Sequence, residues 1–131
     1  MVRFIGSKWR DWIYWIGLVI ILLLILQMSR AYATCGIASH YGGPDDKFHG
    51  TKTANGEIFS REAMTAAHKS LRFNTLLEVT NPSNGKKVIV RINDRGPYIK
   101  GRVLDLSYRA AQQLGLEEIG VAQVCWVEKE K

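Results

Sequence analysis

The sequence predicts a small, mainly β protein whose strands close into a barrel, preceded by an N-terminal hydrophobic helix. Three observations lead to this class. Beyond residue 33, several short strand candidates and one short helix occupy fewer than about 100 residues, which favours a closed barrel over a layered α/β fold. Residues 86–93 alternate apolar and other side chains with a period near two, as a half-buried strand does. Before residue 33 lies one long apolar run.

The composition excludes several other classes of protein. The chain has 131 residues, of which 47% are hydrophobic and 23% charged, the ordinary range for a globular domain rather than a disordered one. Its 12 Gly and 3 Pro exclude a collagen-like or low-complexity chain. Two Cys are too few for a disulfide-dense scaffold or a four-cysteine zinc site.

The N-terminus has the pattern of a secretory signal peptide. Residues 1–11 carry three cations and one acid, residues 12–26 are apolar except for Gly17, and the motif Ala31-Tyr32-Ala33 follows. A basic head, an apolar run and an A-x-A motif are the three parts of a cleavable signal. We therefore predict cleavage after Ala33, which divides the chain into residues 1–33 and a domain of residues 34–131.

Two alternatives to cleavage stay open. Residues 12–28, although shorter than the usual span of about 20 residues, would serve as an inner-membrane anchor if they were retained. In a bacterial lipoprotein Cys35 would carry the lipid, but Tyr32 and Thr34 fit such a signal poorly. In every case the basic head stays on the cytoplasmic side, so residues 34–131 end up outside the inner membrane.

The charge of the exported part argues against a nucleic-acid partner. The whole chain has 18 cations and 12 acids, a charge of +6. Residues 1–33 hold four of those cations and one acid, which leaves 14 cations and 11 acids, or +3. Most nucleic-acid binders concentrate far more positive charge than that.

Four segments of the exported part are strand candidates. The clearest has Val88, Val90 and Ile92 on one face and Lys87, Ile89 and Arg91 on the other. The four candidates are Cys35–Tyr41, Leu76–Asn81, Lys86–Asn93 and Val121–Glu128.

Loops and one helix separate these strands. Phe48–Ser60 is rich in Gly, Thr and Asn and is predicted to be an irregular loop. Asn81–Gly85 contains an Asn-Gly pair and predicts a hairpin turn. Ser107 is a suitable N-cap for a short helix that ends at Leu114, with Gly115 as its stop.

The two cysteines stand near the two ends of the exported part. In an oxidising compartment Cys35 and Cys125 can pair, provided that the first and last strands are neighbours. Such a bridge would close a long loop and stabilise the fold. The alternative is two unpaired thiols, one of them buried.

No motif indicates a metal or a cofactor. His40, His49 and His68 lack the i,i+4 spacing of a helical zinc pair and have no cysteine cluster beside them. The sequence also lacks a Gly-rich phosphate loop, a Gly-x-Ser-x-Gly motif and a dinucleotide fingerprint. We expect neither a metal ion nor a cofactor.

A series of motifs in fixed order resembles one known family. The motifs are Gly50-Thr-Lys-Thr-Ala-Asn-Gly-Glu57, Met64-Thr-Ala-Ala-His-Lys-Ser-Leu71, Val79-Thr-Asn81, Arg91-Ile-Asn-Asp-Arg-Gly-Pro97 and Gly101-Arg-Val-Leu-Asp-Leu-Ser107. With Gly36–Gly42, they span nearly all of residues 35–127. In content and spacing they resemble the rare lipoprotein A family.

The resemblance implies both a fold and an activity. The fold is a six-stranded double-psi β-barrel, as in expansins and barwin-like proteins, with one or two short helices. The activity is that of an exported lytic transglycosylase, which cleaves the β-1,4 bond between N-acetylmuramic acid and N-acetylglucosamine and leaves 1,6-anhydro ends. Strands of peptidoglycan without stem peptides are the preferred substrate. Two alternatives are an expansin-like module that binds glycan without cutting it and an inverting glycoside hydrolase.

The chain departs from the family at three points, one of which is His40, where an aromatic residue such as Tyr is common. Asn74 stands where the family usually has a glycine, and Asn tolerates a left-handed backbone better than most residues. Many members also carry a C-terminal module that binds septal glycan, and we expect no such module in this chain.

Three catalytic roles follow from the resemblance. Asp94, on a loop after an apolar strand, is the expected general acid and base, although spacing alone would favour a turn Asp bonded to its own backbone. Glu57 is the expected second carboxylate of the same groove. His68 is expected to hydrogen-bond a catalytic carboxyl and tune its pKa.

Five further residues are expected to contact the sugar. Asp105 ranks third among the carboxylates and is expected to be a residue of the groove. Alternatively, its negative charge stabilises the N-terminus of the following helix. Tyr41, Phe48, Tyr98 and Arg95 would bind the glycan by stacking and hydrogen bonding. Phe73 and Trp126 are instead expected in the core.

Overall fold

The computed structural model describes residues 2–28 and 33–130, which belong to two compact units, Met1–Tyr32 and Ala33–Lys131. The first unit is one helix, α1 (Val2–Met28). Within it, Lys8–Leu26 has a mean hydropathy of 1.8 and is long and apolar enough to cross a membrane. The predicted apolar run lies in this stretch, whereas Ala31 and Tyr32 of the predicted cleavage motif lie outside the described residues.

The second unit is a closed barrel of six strands with one helix. Around the barrel the strand order is β1-β5-β2-β4-β3-β6, and β6 pairs with β1 to close it. In chain order the elements are β1 (Thr34–Tyr41), β2 (Thr65–His68), β3 (Leu76–Thr80), β4 (Lys87–Asp94), β5 (Arg102–Ser107), α2 (Tyr108–Leu114) and β6 (Ala122–Lys129). The predicted mainly β barrel behind an N-terminal apolar helix is confirmed.

Two of the strand pairs are parallel, and they build the part of the barrel that carries the polar residues discussed below. β1 pairs with β5 and β2 with β4 in parallel, while the other four pairs are antiparallel. Both parallel pairs contain a register shift, at Ile37/Ala38 and at Ala66/Ala67. Such bulges bend a strand and redirect its side chains.

Aliphatic side chains fill the barrel. Val88, Val90 and Ile92 of β4 point inward and are buried, whereas Lys87 and Ile89 are exposed, so the alternation predicted for this strand is confirmed. The inward-facing residues of the other strands join them in one cluster with the apolar face of α2. Trp126 is buried in that cluster, as predicted, and Phe73 packs against it from outside.

The residue pattern did not predict two of the six strands, and one alternative considered for Asp105 put it at the start of a helix. β2 and β5 were not among the four strand candidates. Asp105, placed in one reading at the start of a helix, lies inside β5. The helix itself is confirmed: the Ser107 hydroxyl accepts a hydrogen bond from the Ala110 amide at 3.2 Å, and Gly115 ends the helix with φ 74°.

Two local features bear on earlier expectations. Asn74 adopts φ 69°, a left-handed conformation that asparagine tolerates better than most residues other than glycine. Cys35 and Cys125 are opposite each other on β1 and β6, with their sulfur atoms 2.04 Å apart in a disulfide. Because that bond occupies the sulfur of Cys35, it argues against the lipoprotein alternative.

Candidate active site

A cleft of about 410 Å³ lies on the barrel unit where β1, β2, β4 and β5 run side by side. It brings together six of the eight residues that were expected to bind or cleave a glycan. These six are Tyr41, Phe48, Asp94, Arg95, Tyr98 and Asp105. Glu57 and His68 are not among its lining residues.

The register of four strands places two carboxylates on either side of one alanine. Ser39 of β1 pairs with Asp105 of β5, Asp105 pairs with Ala67 of β2, and Ala67 pairs with Asp94 of β4. With strands about 4.8 Å apart, the two aspartate Cα atoms are separated by about 10 Å or less. Because the side chain between them is a single methyl group, the space between the carboxylates stays open.

Asp94 is surrounded by hydrogen-bond donors. Its Oδ1 accepts from the backbone amides of Ala54 and Arg95, both at 2.9 Å, and its Oδ2 accepts from the Tyr41 hydroxyl at 3.2 Å. Burial and the charge of Asp94 raise the pKa of Tyr41, so the phenol keeps its proton and remains a donor. The Tyr41 ring is itself fixed by stacking on Phe59, with ring centroids 4.4 Å apart. This arrangement suits a carboxylate that carries charge.

Asp105 has a different environment. Burial raises its pKa to about 6, and the nearby charge of Asp94 acts in the same direction. A hydrogen bond of 3.0 Å from the Ser39 hydroxyl and the charges of His40 and Arg102 oppose this rise without cancelling it. A carboxyl group whose pKa is raised toward neutrality by burial in a cleft is suited to donate a proton.

Glu57 forms an ion pair outside the cleft. Its two carboxylate oxygens accept from Arg91 Nη1 at 2.6 Å and Nη2 at 2.7 Å, and Asn55 and Asn93 donate to it as well. These hydrogen bonds, led by that of Arg91, lower the pKa of Glu57 to about 2. A carboxyl group with so low a pKa is ionised near neutral pH and has no proton to supply. Glu57 is therefore better suited to a positioning role than to the role of an acid.

The turn that Glu57 holds reaches the cleft. The Arg91 partner lies on β4, and the Asn55 amide donates to the Asn93 carbonyl of the same strand at 3.3 Å. The residue before Asn55 is Ala54, whose amide donates to Asp94. The ion pair thus fixes the backbone that delivers one of the donors to Asp94.

His68 faces the backbone of the next loop. Its Nδ1 accepts from the amides of Ser70 at 3.1 Å and Leu71 at 3.0 Å, which puts the proton of the neutral ring on Nε2. Burial, with the charges of Arg95 and Lys69, lowers the pKa of His68. Among the described residues, its ring makes no hydrogen bond to a carboxyl group, contrary to the sequence-based expectation.

Arg95 lines the cleft, but its guanidinium is already engaged. Nη1 donates to the carbonyls of Leu71 at 2.7 Å and His68 at 3.2 Å. The guanidinium carbon lies 3.9 Å from the centre of the Phe73 ring, within cation–π distance. Arg95 therefore ties the loop after β2 to the cleft wall.

Two exposed aromatic rings stand at the cleft. Tyr98 is 79% exposed and Phe48 is 54% exposed, although each has a large apolar surface. Phe48 also packs edge-on against Tyr41, with ring centroids 5.7 Å apart. Rings exposed to water beside a polar cleft are available to stack on the face of a ligand.

Seven of the residues that line the cleft were not expected from the sequence, and three of these, Ser39, Ala67 and Arg102, are neighbours of Asp105 in the sheet. None of them belongs to a residue type or spacing that signals catalysis. Only the strand register shows that Ser39 and Ala67 flank Asp105 and that Arg102 shares its strand.

Comparison with known proteins gives a consistent result. The family described as "Lytic transglycolase" matches residues 33–126. "Endolytic peptidoglycan transglycosylase RlpA" of Pseudomonas aeruginosa (strain UCBPP-PA14) is 54% identical over 96 residues, 73% of this chain and 27% of that protein. The protein of the same name from Vibrio cholerae (serotype O1, strain El Tor Inaba N16961) is 47% identical over 100 residues, 76% of this chain and 37% of its own length. The chain thus spans well under half of these two relatives.

Solved structures share the barrel. The Streptomyces papain inhibitor superposes with a TM-score of 0.60 at 19% identity, over 76% of this chain and 96% of the inhibitor. An expansin of Clavibacter michiganensis gives 0.59 at 24% identity, over 76% of this chain and 52% of the expansin. A mutant of that expansin, in complex with cellohexaose, gives 0.58 at 24% identity, over 76% of this chain and 51% of that chain. At these identities the likeness establishes the double-psi barrel fold.

Proposed function

The chain belongs to the lytic transglycolase family, and from that membership we propose that it is an exported enzyme that cleaves the glycan strands of peptidoglycan. The bond cut is the β-1,4 bond between N-acetylmuramic acid and N-acetylglucosamine, and the product ends in a 1,6-anhydro sugar. The relatives that carry the name of this activity match the barrel unit. The observation that carries the proposal is the pair of carboxylates, Asp94 and Asp105, in one open cleft.

The reaction needs one proton delivered and one removed. The oxygen that leaves the muramic acid C1 must take up a proton, and the 6-hydroxyl that attacks C1 must lose one. Asp105, with its raised pKa, is the group that holds a proton to deliver. The Asp94 carboxylate, which accepts three hydrogen bonds, stabilises the oxocarbenium-like transition state and takes the proton of the 6-hydroxyl. No water is consumed, and proton return from Asp94 to Asp105 restores both groups.

This scheme revises the roles expected from sequence without removing a residue. Asp94 remains catalytic but acts as the base that stabilises the transition state. Asp105, which was expected to be a groove residue, acts as the general acid. Glu57 acts through the Ala54 amide and is a positioning residue. His68 positions the loop that holds Arg95.

Sugar binding is assigned to the exposed rings of the cleft. Phe48 and Tyr98 present flat apolar faces to solvent on the lining of the cleft. The related expansin fold has been solved with cellohexaose bound, which supports glycan binding by this kind of barrel. The same similarity keeps a glycan-binding module without turnover as the alternative function.

We place the barrel unit on the outer side of the inner membrane, in the periplasm. The apolar stretch Lys8–Leu26 and the peptidoglycan-acting relatives indicate an exported or envelope protein. We propose that the segment is a signal peptide cleaved after Ala33, and that a chain that escapes cleavage is held in the membrane by α1. The mass of the protein isolated from cells distinguishes the two forms.

The deciding experiment is mass spectrometry of soluble products. The purified full chain, in a nonionic detergent, is incubated with whole peptidoglycan and with peptidoglycan stripped of stem peptides by an amidase. Fragments ending in 1,6-anhydro-N-acetylmuramic acid support the proposal. Fragments with reducing ends would identify a hydrolase instead. No fragments, with the chain still sedimenting with the wall, would identify a binding module.

A further inference from the structure

Arg102 is turned toward the cleft by a bulge in the first parallel strand pair. Arg102 of β5 pairs with Ile37, and the next pair along the two strands joins Leu104 to Ala38, so Val103 is the extra residue. Ile37 is 39% exposed, whereas Ala38 and Leu104 are buried in the core. Without the bulge, Arg102 and Leu104 would share the inward face; with it, Arg102 joins Asp105 in lining the cleft.

In the part of the chain that the structure describes, the guanidinium of Arg102 makes no ion pair and no hydrogen bond, and its charge acts on Asp105 only electrostatically. The ion pairs of residues 33–130 are Arg91–Glu57 and Lys129–Glu78, and no side-chain hydrogen bond involves Arg102. Arg95, its neighbour in the cleft, is fixed by two carbonyls and the Phe73 ring. A half-buried guanidinium that is left unpaired among such neighbours is available to a ligand, because its donors are not satisfied within the protein.

The ligand that such a group favours is a carboxylate. Two parallel N–H donors match the two oxygens of a carboxylate, and the charge-assisted pair is stronger than a neutral hydrogen bond. In a peptidoglycan strand the sugars offer hydroxyl and acetamide groups, which are neutral. The lactyl group of muramic acid is a carboxylate only where the stem peptide has been removed, since with the peptide attached it is an amide.

We propose that Arg102 binds the free lactyl carboxylate of muramic acid in the cleft, which would make it the residue behind the preference for strands without stem peptides that the family resemblance implies. The assignment rests on the proposed function for its choice of glycan. It also answers an electrostatic problem of the site, because the Asp94 carboxylate would repel an anionic substrate and the Arg102 cation offsets it. Arg102 is thus a specificity-determining residue, separate from the pair that moves protons.

The test uses one glycan in two forms that differ only in charge. Amidase-stripped strands are compared with the same strands after their lactyl carboxylates have been converted to primary amides. Binding is measured by titration of the full chain in nonionic detergent, carrying Asp94→Asn so that the strands are not consumed. We expect the acid form to bind about tenfold more tightly than the amide form, the size of one charge-assisted hydrogen bond.

Matched variants then locate the effect. Arg102→Gln should bind the two forms with similar affinity, and Arg102→Lys, which keeps the charge but loses the fork, should retain only part of the difference. Arg109→Gln removes the same charge from an exposed position on α2 and should leave the tenfold difference intact. Equal binding of both forms to the parent chain, no binding of either form, or a difference that survives in Arg102→Gln would each overturn the assignment.

Failure of this inference and failure of the proposed function give different results. The unsubstituted chain is incubated with the acid form and its products are analysed. Anhydro products without discrimination between the two forms would leave the enzyme assignment standing and remove Arg102 from substrate selection. Discrimination that depends on Arg102 without any products would support carboxylate recognition by a binding module.

Discussion

Asp94 and Asp105 are the same side chain, and their surroundings make them chemically different. Asp94 collects three donors, two of them backbone amides. Asp105 is buried and has one hydroxyl donor, Ser39. The sequence identified both aspartates, but their order of importance there followed the family motifs. The different surroundings of the two carboxyl groups arise from residues 39, 54 and 67, which lie far from them in the chain. The proposed acid and base roles therefore rest on the structure rather than on the sequence.

Loss of the Asp94 charge should abolish cleavage while leaving the fold intact. Asp94→Asn keeps the shape of the side chain but removes the charged oxygen that faces the transition state. We expect product formation to fall by about a hundredfold or more, the usual contribution of an acid–base group. Chromatography and mass spectrometry of released anhydro sugars measure it. Asp45→Asn, at an exposed loop position, should retain full activity; a fully active Asp94→Asn would remove this residue from the mechanism.

The pH dependence of the reaction should follow Asp105. Its pKa is raised from 3.8 to about 6, so the protonated acid is present below pH 6 and is lost as the pH rises through that value. We expect kcat/KM to decline above about pH 6 for this reason. A pH series on soluble glycan strands would show the decline. In Asp105→Asn the residual activity should no longer decline above about pH 6. If the decline persisted in this variant, it would have to come from another titrating group.

At the level of elements, the turn of residues 53–57 and strand β4 act as one unit. The ion pair between Glu57 and Arg91 joins them, and the side chains are 39% and 34% exposed, so water weakens the pair. The ion pair contributes more to the position of the backbone than to the stability of the fold. It keeps the Ala54 amide at Asp94.

Loss of the Glu57 charge should therefore slow the reaction without abolishing it. In Glu57→Gln we expect a decrease in kcat of about tenfold, well short of the effect of Asp94→Asn, and a loss of about 1 kcal/mol or less in unfolding free energy. The activity should still decline above about pH 6, because Asp105 is unchanged in this variant. Glu62→Gln, at an exposed position, is the matched control. If Glu57→Gln lost all activity and the decline with pH as well, Glu57 would be a proton donor rather than a positioning residue.

Helix α2 depends on one buried hydroxyl. Ser107 is fully buried; its Oγ accepts from the Ala110 amide and donates to the Ala63 carbonyl at 2.6 Å. Ser107→Ala removes both bonds, and we expect the unfolding free energy to fall by about 1–2 kcal/mol in urea titrations. Ser83→Ala, in the exposed hairpin loop, should change it by less than about 0.5 kcal/mol. Equal effects of the two substitutions would contradict the capping role.

The elements that sequence predicted and those that it missed differ for physical reasons. β4 was predicted because Val88, Val90 and Ile92 alternate cleanly in a strand with one face in the core. β2 has four residues, three of them buried, and its alanines carry no strand preference. β5 is interrupted by the bulge at Val103, which breaks the period of two that would have revealed it.

On the scale of the whole barrel unit, closure brings the first and last strands together. The pairing of β1 with β6 could not be read from local patterns, because its partners are 90 residues apart at the cysteines. The cysteine positions themselves did suggest it, on the condition that those strands were neighbours. The family resemblance supplied the six-strand count and the barrel topology, which short strands of this kind do not specify alone.

The Cys35–Cys125 disulfide should be a main source of stability for this closure. A cross-link between residues 90 apart in sequence restricts the unfolded chain, which in the chain-entropy picture stabilises the fold by about 4 kcal/mol. We expect reduction to lower the Tm of the barrel unit and the unfolding free energy by an amount of this order. The chain has two cysteines, so no other pairing can form within it. The double variant Cys35→Ala with Cys125→Ala should unfold like the reduced chain and be insensitive to reductant. An oxidised chain and a reduced chain with the same Tm would show instead that the β1–β6 hydrogen bonds close the barrel unaided.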